Sequence, residues 1–95
     1  MKSKTFSFKN AKGVKYVVKE RKIQKKHDSV GLCYPPFNPR PRIYLDPDIS
    51  DRLRLSTIIE EFLHAFFWSK SEREIKKAAQ TIAKFLYADN WRRDY

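Results

Sequence analysis

The sequence predicts an α+β fold, a small antiparallel sheet of about three strands followed by two packed α-helices. Two observations carry this: the hydrophobic period changes from two to 3.6 near Ser50, and prolines break the region before that point into short segments. A third is length. At 95 residues the chain is long enough for one domain, 1–95, with one modest core.

In "GVKYVVKERKI", Val14, Tyr16 and Val18 alternate with Lys15 and Lys19, which predicts a half-buried strand near residues 13–23. "QKKHDS" is a polar connection, where His27 is expected to be solvated, and "VGLCYPPF" is a short apolar segment closed by Pro35 and Pro36. "NPRPR" cannot hold a ladder, because each proline removes a backbone donor. "RIYLDP" then predicts a short strand ended by Pro47.

The helical region is 50–88. Asp48, Ser50 and Asp51 are all plausible N-caps for a first helix with an apolar stripe of Leu55, Ile58, Ile59, Phe62, Leu63, Phe66 and Phe67. "SKSE" breaks that helix, and Ser71 with Glu74 forms an S-x-x-E capping box for a second. Ile75, Ala78, Ala79, Ile82, Phe85 and Leu86 give the second helix its stripe, and the terminal "DNWRRDY" is expected to dock on it.

Apolar residues make up 41% of the chain and aromatics 15%, enough for a folded core despite the charge. No apolar run approaches the length of a membrane span, and the N-terminus lacks the apolar region of a secretory signal. Cys33 is the single cysteine, which excludes an internal disulfide, argues against a thiolate zinc site within one chain and points to a reducing, cytoplasmic setting. The net charge of +10 is concentrated in residues 1–30, which carry ten Lys/Arg against Glu20 and Asp28. That basic strand region makes Lys15, Lys19, Lys22, Lys25 and Lys26 candidates for binding nucleic acid or an acidic protein. A Lys-rich, solubilising sheet edge explains the same residues without a ligand.

The chemistry-bearing stretch is "STIIEEFLHAFFW", residues 56–68. Wound at 100° per residue, it places His64 about 40° and Glu61 about 100° from Glu60, on one stripe opposite the apolar set. In a zinc hydrolase helix, positions i and i+4 hold the metal and position i+1 is the general base. Glu60, His64 and Glu61 occupy those places. An i,i+4 ion pair on a solvated helix face would look the same.

The order "VGLCYPP", "RPRIYLDPDISDRLRLSTIIEEFLHAFF", "SEREIKKAAQTIAKFLY" and "NWRR" resembles a family of small phage and prophage HExxH-type zinc metallopeptidase-like proteins, over roughly residues 14–93. The resemblance implies a minimal zincin-like fold. It makes Glu61 the catalytic base and His64 a metal ligand, and puts Glu60 where the family has its first histidine. Its third ligand is expected at the start of the second helix, at Glu72, with Glu74 as rival. The cofactor implied is Zn2+, with Mn2+ or no metal as alternatives, because two carboxylates and one imidazole favour harder ions. The implied substrate is an extended peptide or protein segment paired with an edge strand. "RIYLDP" is the candidate strand, with Arg42 and Tyr44 touching substrate and Tyr34 or Arg40 flanking it. An inactive member serving as a basic binding module is the alternative.

Overall fold

The computed structural model describes residues 5–23 and 29–93. Strands β1 (Phe6–Lys9), β2 (Lys15–Glu20), β3 (Gly31–Cys33) and β4 (Arg42–Leu45) precede helices α1 (Asp51–Phe66) and α2 (Glu72–Ala88). The α+β expectation holds, with four strands instead of three and a mixed instead of an antiparallel sheet, ordered β1-β2-β4-β3.

The additional strand is β1, which forms a hairpin with β2. Asn10 organises the turn: its Oδ1 accepts from the backbone N–H groups of Lys12 (3.0 Å) and Val14 (2.9 Å), and Gly13 supplies the positive φ of 80°. The Asn10 Nδ2 donates to the Ala65 carbonyl at 3.1 Å, tying the hairpin to the last turn of α1. β4 pairs in parallel with β2 and antiparallel with β3, so it lies inside the sheet. Burial explains the order. β4 buries Ile43 and Leu45 completely or nearly so, whereas β3 is three residues long and starts with glycine, so it has little to lose at an edge.

One face of the sheet packs on α1. Tyr16, Val18, Ile43, Leu45 and Ala65 form the core, flanked by Phe8, Cys33, Ile58 and Phe62. The Phe8 ring stacks on Phe62 at 4.2 Å and on Tyr16 at 5.5 Å, and the Tyr16 hydroxyl donates to the Tyr34 carbonyl at 2.8 Å. Arg54 of α1 pairs with Glu20 of β2 at 2.7 Å, so Glu20 belongs to the same face. Ser50 proves to be the N-cap of α1, accepting from Leu53 N–H at 3.2 Å.

α2 rests on α1 through Ile75, Ala79 and Ala83, while Ile82 and Phe85 of its expected apolar stripe are exposed. A small-residue row allows the two helices close approach, and it is this row that is buried. The tail turns back after α2: Arg92 donates to the Tyr87 carbonyl at 2.7 Å and lies over that ring, and Arg93 reaches Glu20 at 3.2 Å. Among the described residues no helix is long and apolar enough to cross a membrane.

Ile43 is fully buried on an interior strand. Ile43→Ala is therefore expected to cost about 2–5 kcal/mol, read as a lower urea midpoint at unchanged slope. A loss below about 1 kcal/mol would contradict the placement of β4 at the centre of the core.

Candidate metal centre

Two helices and a short turn build the site. The Ser71 hydroxyl accepts from Glu74 N–H at 3.1 Å, which starts α2, and the turn before it brings Glu72 beside His64. His64 Nε2 lies 3.4 Å from Glu72 Oε1 and 4.0 Å from Glu60 Oε2. One ligand atom from each of Glu60, His64 and Glu72 falls within 4.8 Å of the others. Glu74 is occupied by the cap, where its Oε1 meets the Ser71 hydroxyl at 3.1 Å, and it is not part of this group.

The donor set fits a divalent cation. Tetrahedral ligands at metal distances of about 2.0–2.1 Å sit roughly 3.4 Å apart. The His64–Glu72 separation already has that value, the His64–Glu60 separation is longer at 4.0 Å, and Glu72, 69% exposed, has room to adjust toward the other two. The His64 and Glu60 side chains are 13% and 20% exposed, half-buried at the wall of the cleft.

Glu61 lies deeper, 5% exposed. Burial, and then the charges of Glu60 and Glu72, push its carboxyl up to about 8, with Lys76 opposing the rise. Burial likewise raises Glu60, offset by Lys76 and reinforced by contact with Glu72. Three carboxyl groups thus crowd one half-buried space, and a cation among them would relieve the repulsion.

The stripe carrying these residues is not the solvated face expected from the wheel. Thr57, Glu61 and Ala65 are the buried residues of α1, whereas apolar Leu53, Phe66 and Phe67 are exposed. Gly31 of β3 is the reason. A Cβ there would stand 2.5 Å from Thr57 Cγ2 and 2.7 Å from Glu61 Oε2, so the bare backbone lets the strand lie directly on this stripe. Thr57 tolerates burial because its hydroxyl donates to the Leu53 carbonyl at 2.6 Å.

An open cleft of about 540 Å³ lies over the group, lined by Cys33, Glu60, Glu61, His64, Trp68 and Glu72 among others. A second of about 670 Å³ continues past Thr57 and Asp46 and shares Gly31, Glu60, Glu61 and Lys76. No family model, curated protein or solved structure matches the chain. The functional reading therefore rests on the site itself.

The structure places the other candidates elsewhere. "RIYLDP" was expected at an edge, but β4 is flanked by β2 and β3, and the described edge beside α1 is β3. Arg42 and Tyr44 alternate with core-facing Ile43 and Leu45, so they lie on the opposite face of the sheet and line neither cleft. Lys15 and Lys19 share that opposite face. Lys22 pairs with Asp48 at 2.9 Å, and Lys25, Lys26 and His27 lie outside the described residues.

Lys76 and Gly31 escaped the sequence reading. Lys76 stands at i+4 from Glu72, a spacing that puts both on one face of α2; nothing local singles out Gly31. Cys33 packs against the core and also lines the cleft, and burial followed by the Glu61 charge pushes its thiol up to about 12.

At pH 8 a thiol raised to about 12 holds on the order of a thousandfold less thiolate than a free one. Labelling of Cys33 by a chromogenic disulfide is expected to run at least about 100-fold slower in the folded protein than in guanidinium. Comparable rates in the two states would mean that the thiol is solvated.

Proposed function

We propose that Glu60, His64 and Glu72 bind one divalent cation and that Glu61 accepts a proton beside it during hydrolysis of an extended peptide. The observation that supports this most directly is the convergence of three donors from two helices within 4.8 Å, next to a buried carboxyl. When bound, the cation supplies Lewis acidity toward water and a carbonyl oxygen. Glu61 would take the proton, and a nearby cation would draw its raised pKa back toward the ionised form. Among the described residues β3 pairs with β4 alone, so its other edge can accept a peptide strand alongside the cleft. The edge-strand role moves from β4 to β3 in this reading.

Chelator-treated protein titrated with Zn2+ and Mn2+ is expected to take up one ion per chain. His64→Ala should abolish uptake, and Glu74→Gln should leave it intact, since glutamine preserves the capping box. Glu61→Gln should keep the metal while losing at least about 100-fold in cleavage of an unfolded protein substrate. No stoichiometric uptake would overturn the metal reading; uptake with no Glu61-dependent cleavage would overturn the hydrolase.

A further inference from the structure

The sheet face turned away from the helices carries a different chemistry. Lys15, Val17 and Lys19 alternate with the core residues of β2, and the hairpin register sets Lys9 opposite Lys15. All three lysines are exposed and form no ion pair with any described residue. Among the described residues, the acidic groups closest to them in the chain are engaged elsewhere: Glu20 with Arg54, Asp48 with Lys22, and Asp46 buried beneath the N–H groups of Ile23 and Asp48.

Across the strand boundary the same face becomes aromatic. Arg42 lies over the Tyr34 ring, 3.7 Å from guanidinium carbon to centroid, and its Nε donates to the Tyr44 hydroxyl at 3.0 Å. Arg21 also lies against the Tyr44 ring, 5.0 Å from guanidinium carbon to centroid, and the two tyrosines meet edge to face at 5.9 Å. A merely solubilising face would show lysines alone. Here rings and guanidinium groups pack against one another beside three lysines that no described residue pairs with, on a sheet face from which no described helix projects to enter a duplex groove.

We propose that this face binds single-stranded nucleic acid, with Lys9, Lys15 and Lys19 on the phosphates and bases stacking on the Tyr44–Arg21–Arg42 platform. Charge complementarity selects a polyanion, and the stacked platform selects one with unpaired bases. The surface lies on the far side of the sheet from Glu61, so it stands whatever the fate of the proposed metal site.

Anisotropy of a fluorescent 20-nucleotide single strand with the full chain tests this. The logarithm of affinity is expected to fall with the logarithm of salt at a slope of about −3, as for four to five phosphates. Lys15→Gln with Lys19→Gln should make the slope shallower by about 1.4. Tyr44→Leu should weaken binding about five- to hundredfold at unchanged slope, with Arg21→Gln as an exposed second probe if the leucine variant unfolds. His64→Ala and Glu61→Gln should bind as the parent does. No binding at 50 mM salt, indifference to the lysine and Tyr44 changes, or equal competition by poly-glutamate or duplex at matched charge would each overturn the proposal.

Discussion

Gly31→Val is expected to destabilise the protein by about 3 kcal/mol, near the upper end of ordinary overpacking. The first added carbon alone would stand 2.5 Å from Thr57 Cγ2, and Thr57 cannot yield easily, because it is buried, β-branched and hydrogen-bonded through its hydroxyl to Leu53. Either α1 moves off the sheet or β3 detaches from β4. Both disturb Glu61, whose Oε2 would be 2.7 Å from the same carbon. Urea unfolding would read the loss. A double-mutant cycle of Gly31→Ala with Thr57→Ala should show favourable coupling, since removing Cγ2 removes the nearest clash. Additive effects, or a Gly31→Val protein with the parental midpoint, would show that β3 and α1 are not in close contact.

The second large effect concerns the cation. If the site binds as proposed, metal at about 1,000 times its dissociation constant should stabilise the fold by about 4 kcal/mol, because the unfolded chain does not hold Glu60, His64 and Glu72 together. Thermal midpoints with and without chelator measure it. Glu60→His should tighten zinc binding by at least about tenfold, or 1.4 kcal/mol. It exchanges a carboxylate that burial and Glu72 hold in the protonated direction for a neutral imidazole, and so removes repulsion from the group. No gain in zinc affinity would mean that position 60 does not face the ion.

Features set by local chemistry were legible in the chain. The caps at Ser50 and Ser71 follow from side-chain oxygens reaching backbone N–H groups three residues on, and both are present. The same capping box explains why Glu72 joins the cluster and Glu74 does not. Period-two alternation found β2, and the short run ended by Pro47 marked β4. β1 was missed: four residues with a single pair of alternating phenylalanines carry too little periodicity to stand out from a polar N-terminus.

Which way a periodic face points is another matter. The wheel showed Glu60, Glu61 and His64 to be neighbours, and that much is retained. It assumed that the most apolar side of α1 meets the core, whereas the helix has β3 and α2 as neighbours as well as the sheet. Ile58 and Phe62 of the apolar side do meet the core, and a glycine additionally let a strand approach and bury Thr57 and Glu61.

The amino-acid order thus settled the two helices, strands β2 and β4, the cap at Ser71 and the co-facial polar triplet, all of which depend on contacts within about four residues. Strand order, the parallel pairing of β2 with β4, the burial of Glu61 and the meeting of Glu72 with His64 depend on which surfaces find each other across the chain. Backbone hydrogen bonding is indifferent to that choice, so packing at Gly31, Ile43 and the α1–α2 alanine row made it.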